Sequence, residues 1–231
     1  MNKKITSFII VIMLILASSK ADAWIGFYLG PNCTIYPING NRANGGKLNT
    51  GFGIQGGFLY ITNTSRFASF RMDMEYTWSQ TYANIHINMD AYHHPSSTLE
   101  GNVNLYGVLI SPKIQFNVLS DRRAFINFGV SPRFIYTSGK GTAYHRDGSV
   151  SQSGGNDFSD FFKKFAVAAN IGIGYQEIKV GSVTLFAEIT ESYDISTITY
   201  TAYTSPWRAL TSSLTFGIRI YRNQNNSYEY N

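Results

Sequence analysis

The sequence predicts an all-β fold, a closed eight-stranded antiparallel up-and-down transmembrane β-barrel. Three observations carry that expectation: eight segments whose side chains alternate between apolar and polar, connections that alternate between short and long, and an aromatic, charge-poor composition. Sixteen Tyr, sixteen Phe and 21 Gly accompany only 14% charged residues, which suits strands with aromatic girdles. After the first twenty or so residues no stretch is long and apolar enough for a spanning helix, which needs about 20 residues.

The chain opens on an address. Lys3 and Lys4 precede an apolar run from Ile5 to Ala17, and Ala21-Asp22-Ala23 fits an A-x-A cleavage pattern, the arrangement of an export signal. The apolar run is about a dozen residues, too short to span a bilayer as a helix. The expected organisation is a signal peptide over 1–23, an outer-membrane barrel over 24–221 and a C-terminal tail over 222–231. Loss of Lys3, Lys4, Lys20 and Asp22 with the leader lowers the formal charge from +5 to +3, too mild a balance to argue for nucleic acid. Export allows disulfides, but Cys33 is the single cysteine, so no intrachain bridge forms. Without His or carboxylate neighbours at ligand spacing, Cys33 reads as an apolar thiol, buried or lipid-facing.

The clearest strand is Ala68 to Gln80. Ala68, Phe70, Met72, Met74, Tyr76 and Trp78 alternate without error with Ser69, Arg71, Asp73, Glu75, Thr77 and Ser79, a period of two. Asn104 to Val118 and Ala124 to Tyr136 repeat the pattern, as does Leu210 to Ile220 with Ser212 as its one misfit. These segments are about 11 to 15 residues long, near what a tilted strand needs to cross a bilayer and longer than the usual five or six of globular sheets. Four weaker strands, Ile25 to Tyr36, Gly51 to Ile61, Phe165 to Gln176 and Val183 to Thr190, bring the number to eight, even as bacterial single-chain barrels require. Short turns fall near 62–67, 119–123 and 177–182. Long polar loops fall near 37–49, 80–103, 138–164 and 191–207, which places the termini and short turns in the periplasm and the long loops outside.

If the apolar face meets lipid, the other face points into a lumen that side chains must fill, because eight strands leave almost no channel. Arg71, Asp73, Glu75, Lys113, Arg133, Glu188 and Arg219 fall on that face. Four cations against three anions imply a salt-bridged network, with Asp73 or Glu75 facing Lys113, since a lone buried charge costs several kcal/mol. Gly51, Gly53 and Gly57 share the inward face of the second strand and are expected to leave room for long neighbours such as Arg71. Trp24, Tyr60, Trp78, Tyr106, Tyr136 and Trp207 lie near strand ends, where an amphipathic ring sits at the lipid boundary as a girdle.

No catalytic or metal chemistry is legible, and no cofactor is expected. His86, His93, His94 and His145 fall in the predicted loops with Asp90 and Asp147 nearby, but without the spacing of zinc motifs. His93, His94, Ser96 and Ser97 have the residue types of a lipid-modifying site but no carboxylate fixed beside them. Gly172-Ile173-Gly174 lies inside a strand and opens no helix, so it is not a nucleotide fingerprint.

The segments FKKFAVAANIGIGYQEI and VTLFAEITESYDI, with FRMDMEYTWS and LISPKIQF upstream and LTFGIRIY at the end, resemble the PorT-like outer-membrane β-barrel family of Gram-negative bacteria. The resemblance covers nearly all of the mature chain and rests on strand patterns with Gly and Pro marks. It implies a small barrel of the cell envelope, one relative of which assists a protein-secretion apparatus. The tail from Arg222 to Asn231 extends beyond the family's pattern. A non-enzymatic barrel with a structural or surface-interaction role is the expected function, with outer-membrane lipid and envelope proteins as its partners. An accessory subunit of a secretion or envelope-assembly complex is the alternative, and a narrow passive channel or a lipid-modifying enzyme stand behind it.

Overall fold

In the computed structural model, the described residues are 23–37, 46–63, 67–89, 95–118, 123–152, 158–180, 183–199 and 207–222. They form β1 (Ala23–Ile35), β2 (Lys47–Leu48), β3 (Gly51–Asn63), β4 (Ala68–Met89), β5 (Pro95–Asn117), β6 (Ala124–His145), β7 (Val150–Gln152), β8 (Phe165–Val180), β9 (Val183–Asp194) and β10 (Leu210–Arg222). Apart from Ala23 and Arg222, which pair with each other in the ring, the expected leader and tail lie outside the described residues.

Eight of these strands close a ring. Antiparallel pairing runs β1–β3–β4–β5–β6–β8–β9–β10 and returns to β1. Closure satisfies the backbone groups of both would-be edge strands, the condition for a sheet to stand in hydrocarbon. The register also fixes the slant. From Cys33, paired residues lead one way through Phe52, Gln80 and Asn104 to Ser138, and the other way through Ser212, Glu191 and Ile171 to Phe128. The two ends lie ten residues apart on β6, and a stagger of that size over eight strands tilts them by roughly 40° and leaves a lumen just wide enough for side chains.

Alternation then sorts the side chains. Ile25, Phe27, Leu29, Phe52, Ile54, Phe58, Met74, Val108, Phe128, Ile173 and Phe216 are exposed on the outside, while Arg71, Asp73, Lys113, Asn127, Glu188 and Arg219 are buried within. A soluble protein does the reverse, so the solvent of the outer face is lipid and the barrel is transmembrane. The apolar exterior ends at a definite level on β4, β5 and β6. Beyond Trp78, Tyr106 and Tyr136, which pair across the three strands, the outward positions become Gln80, Tyr82, Asn84 and His86, then Asn104, Asn102 and Glu100, then Ser138, Lys140 and Thr142. There the membrane ends and water begins.

The strands do not end with it. The expected long loops over 80–103 and 138–164 are in large part β-sheet: β4 and β5 continue paired to Met89 and Pro95, and β6 to His145. At about 3.3 Å per residue and this tilt the sheet rises roughly 23–28 Å beyond the aromatic row. Its inner face supplies the reason. Ala83, Ile85, Leu99 and Val103 pack with Phe158, Phe161, Phe162, Ile198 and Trp207 in a core of their own, as a half-buried sheet requires. The short strands β2 and β7 pair with the projecting parts of β4 and β6. The loop expected over 191–207 likewise starts later, because β9 runs on to Asp194.

Three prolines interrupt the wall, one of them Pro31, where the β1–β10 pairing lapses between Leu29↔Phe216 and Asn32↔Ser213. Pairing between β5 and β6 lapses between Leu109↔Arg133 and Lys113↔Gly129, the stretch holding Pro112 and Pro132, neither of which has an N–H to donate. Ser111 and Ser131 join hydroxyls across the gap at 2.5 Å.

Met72 faces outward near mid-membrane and Thr77 faces the lumen. Met72→Lys exposes a charge to hydrocarbon and should cost about 2 to 4 kcal/mol in lipid. Thr77→Lys, within reach of Glu75, should cost less. Urea titrations of both variants in lipid vesicles check the order, and a milder Met72→Lys would reverse the assignment of the two faces.

Candidate functional site

Among the described residues, buried ionisable side chains converge in the lumen, which is built in layers. At the end where β1 begins and β10 ends, Tyr28, Leu59, Ile61, Phe125 and Phe186 form an apolar plug with Trp24 packed against it. Arg219 lies between two of these rings, its guanidinium 4.6 Å from the centroid of Phe125 and 4.4 Å from that of Phe186, and it donates to the side-chain oxygen of Gln176. Arg219 thus enters no ion pair among the described residues. It is held by ring faces, an interaction that strengthens when water is excluded. Gly174 and Gly217 provide the space: a Cβ at either position would fall 2.1 Å from the Phe125 ring or 2.5 Å from that of Phe186.

Above the plug sits the ion-pair network. Arg71 and Lys113 are cross-strand partners, like charges directly opposed, which by itself destabilises a sheet. Asp73, two residues along the same face, resolves the conflict. Its Oδ1 accepts from Arg71 Nε at 2.7 Å and its Oδ2 lies 2.8 Å from Lys113 Nζ. Arg71 Nη1 reaches across the lumen to Glu188 Oε2 at 2.6 Å, and Asn127 and Thr190 each donate to Glu188 Oε1 at 3.0 Å. Arg71, Asp73 and Glu188 are 2%, 0% and 2% exposed, so direct bonds must replace the water they have lost. The partner of Lys113 is Asp73. Glu75 instead accepts from the Tyr28 hydroxyl at 2.7 Å.

The inward glycines act differently from the expectation. A Cβ at Gly53 or Gly57 would strike the backbone of β4 at Trp78 or Met74, 1.8 and 2.3 Å away, so these positions admit the neighbouring strand rather than Arg71. Gly172 and Gly129 serve the network, since a Cβ there would meet Glu188 Oε1 at 2.7 Å or Lys113 Cγ at 2.6 Å.

A cavity of about 70 Å³ lies above the network, lined among others by Asn32, Gln55, Glu75, Lys113, Ser131 and Asn170. It is polar and large enough for a few water molecules. Its roof is a latch. Arg133 Nη2 donates to both oxygens of Asp194 at 2.7 Å, and the Ala209 N–H donates to Asp194 Oδ2 at 2.9 Å. This ties β6, the end of β9 and the approach to β10 together beneath the apolar core of the projecting sheet. Asp194 is the fourth anion of the lumen and balances the fourth cation. Its place was legible in the alternation Glu188, Thr190, Ser192, Asp194, which outruns the strand end expected at Thr190.

Of the expected girdle, Tyr60, Trp78, Tyr106 and Tyr136 face outward. Tyr76, Tyr106 and Tyr136 line up, with ring centroids 6.5 and 5.8 Å apart. Two expectations need correction. Trp24 takes an inward position on β1 and packs on the lumen plug, because the outward set of that strand is Ile25, Phe27 and Leu29. Trp207 is 0% exposed in the core above the latch, where its backbone N–H donates to the Thr199 hydroxyl oxygen at 3.1 Å, so it seals the lumen instead of touching lipid. Cys33 is half-buried on the outer face.

Beyond the lumen, His145 Nε2 and Ser151 Oγ are 3.0 Å apart on the surface, and the Ser149 hydroxyl and N–H hold the Asp147 carboxyl below its ordinary range. His86 lies in β4. His93, His94 and Asp90 lie outside the described residues, as does the side chain of Ser96. Among the described residues no three His, Cys, Asp or Glu side chains gather to hold a metal.

No protein-family model and no curated protein matches the chain. Among solved structures it is similar to Neisserial surface protein A, with 12% identity, a TM-score of 0.47, and 86% of this chain and 96% of that one covered. It is also similar to Ail, the attachment invasion locus protein of Yersinia pestis, with 11% identity, a TM-score of 0.40 and coverages of 86% and 99%. The outer membrane protein OprG of Pseudomonas aeruginosa follows at 7%, 0.44, 88% and 96%.

The network behaves as a unit. Glu188→Ala leaves Arg71 with one carboxylate and should destabilise the barrel in lipid by about 3 to 5 kcal/mol. Replacing both partners, Arg71→Met with Glu188→Leu, should cost clearly less than the sum of the single changes. Urea unfolding in vesicles reads the difference, and strict additivity would mean that the two side chains are not coupled.

Proposed function

We propose that this transmembrane barrel is an outer-membrane protein with a structural or surface-interaction role and no catalysis, its termini and short turns periplasmic and its projecting sheet outside the cell. The observation that carries the reading is the projecting part of β4, β5 and β6. A barrel needed only to span lipid has no use for strands that continue well past the aromatic row, with a core of their own and a polar outer face. That face, with Tyr82 and Asn84 both donating to Glu100, is an ordered polar surface offered to whatever lies outside the membrane.

The lumen supports the same reading. Its charges bond to one another, to the Tyr28 hydroxyl or to aromatic rings, and its ends are closed by the Phe125–Phe186 plug and the Trp207 core. A second reading, an accessory subunit of a secretion or envelope-assembly complex, is supported by the PorT-like strand motifs, with the projecting sheet as the surface that meets the complex.

Two outcomes follow. The protein should fractionate with outer membranes and migrate differently on a gel when unboiled, because a closed ring resists detergent; recovery as a soluble periplasmic protein would end the barrel reading. Trypsin added to intact cells should cut at the exposed Arg146, beyond the end of β6, and spare Arg123 at the opposite end. Cleavage confined to the latter would invert the topology.

A further inference from the structure

We propose that the barrel pairs with a second copy of itself within the membrane, along the outer face of β9, β10 and β1, each copy setting its Glu191 carboxyl against the Ser212 hydroxyl of the other. The proposal rests on the reading of the chain as a membrane barrel. On this wall the outward positions of β9 are Leu185, Ala187, Ile189, Glu191 and Tyr193, followed by Ile195, and those of β10 are Ile220, Ile218, Phe216, Leu214, Ser212 and Leu210. Glu191 and Ser212 are cross-strand partners, both half-buried, and the Ser212 hydroxyl donates to Glu191 Oε2 at 2.8 Å. Leu185, Ile189, Tyr193 and Ile195 are exposed on the same face, so the carboxyl stands inside the apolar belt and not at its rim. At about 3.3 Å per residue and a tilt near 40°, it is set on a backbone roughly 10 Å below Ile195 along the membrane normal.

A carboxyl group has more hydrogen-bonding capacity than one hydroxyl fills, and among the described residues Glu191 joins no salt bridge. Hydrocarbon supplies neither water nor donors, so an ionisable side chain at this depth marks a contact with protein and not with open lipid. The occupant must bring a complementary group to the same depth, and a copy related by a two-fold axis along the membrane normal does so by symmetry. As cross-strand partners, Glu191 and Ser212 stand side by side about 5 Å apart, acceptor next to donor. An axis passing between them therefore places each carboxyl opposite the other copy's hydroxyl. Close approach is open as well. The row of paired residues runs Ile171, Glu191, Ser212 and Cys33, and Cys33, Pro31 and Ala169 on the same face carry small side chains, which let two membrane walls come near enough for polar groups to bond. Around them Leu29, Leu214, Ile171 and Ile189 are exposed and frame the polar pair with apolar contact.

The test follows energy transfer between copies of the full chain in phosphatidylcholine vesicles. Donor and acceptor dyes are attached through Ser149→Cys, an exposed position beyond β6, in a Cys33→Ala background that removes the single native cysteine. Transfer should exceed the level of chance encounters and fall with a defined midpoint as lipid is added. Glu191→Leu and Ser212→Ala should each raise the protein-to-lipid ratio at that midpoint about tenfold, the equivalent of about 1.4 kcal/mol spread over two symmetry-related bonds. Ile114→Ala, at an exposed outward position of β5 across the barrel, should not move it. Transfer at the chance level overturns the pairing, and so does a midpoint that either Glu191→Leu or Ser212→Ala leaves in place, or one that Ile114→Ala shifts as far. The gel shift of unboiled samples is read in parallel and should persist in every variant, so failure of the barrel reading is distinguished from failure of this contact.

Discussion

Closure of the ring between β1 and β10 is the constraint on which everything else depends. In hydrocarbon no water is available to an unpaired N–H or C=O, so the first and last strands must find each other. The ten-residue stagger at which they do so sets the tilt, the tilt sets the width, and the width leaves a lumen that side chains alone fill. The interior is thus a consequence of the register of the wall. Where the β5–β6 wall is imperfect, at Pro112 and Pro132, the Ser111 and Ser131 hydroxyls bridge the opening from within.

A lumen of this width, closed at both ends, has to be electrically self-sufficient. Four cations meet four anions, but not as four simple pairs. Arg71 and Lys113, forced opposite each other by the β4–β5 register, share Asp73. Arg71 then spans the lumen to Glu188, while Arg133 and Asp194 form a separate latch. That leaves Glu75 to the Tyr28 hydroxyl and Arg219 to two phenyl rings. The bonds cross the barrel between strands distant in sequence, β4 to β9 and β6 to β9, so they brace the cylinder against flattening in a way that ladder hydrogen bonds between neighbours do not.

The projecting sheet obeys a different solvent. Below the Trp78, Tyr106 and Tyr136 row the outside is apolar and the inside polar, and above it the arrangement inverts within the same strands. β4, β5 and β6 therefore carry two hydrophobic surfaces of opposite orientation, one for lipid and one for the Trp207 core. This inversion explains why the upper halves of these strands look like loops when judged by a lipid-facing pattern. It also gives the protein a rigid surface outside the membrane, which is what an interaction role requires.

The sequence by itself determined the barrel, because a period of two along a strand and the even number of strands are local properties, each visible in a run such as Phe70 to Trp78. It also assigned Arg71, Asp73, Lys113 and Glu188 to one face, since parity along a strand does not depend on its neighbours. Tertiary structure alone decided who pairs with whom. That Asp73 rather than Glu75 meets Lys113, that Arg219 rests on Phe125 and Phe186, and that Trp207 lies inside all depend on register between strands up to a hundred residues apart, and one residue of slip would reassign each of them. The reach of β4 and β5 to Met89 and Pro95 was hidden for a related reason. A residue such as Ile85 or Leu99 is apolar in both environments, and only the core assembled from Phe158, Phe162 and Ile198 shows which side of the sheet it was meant to cover.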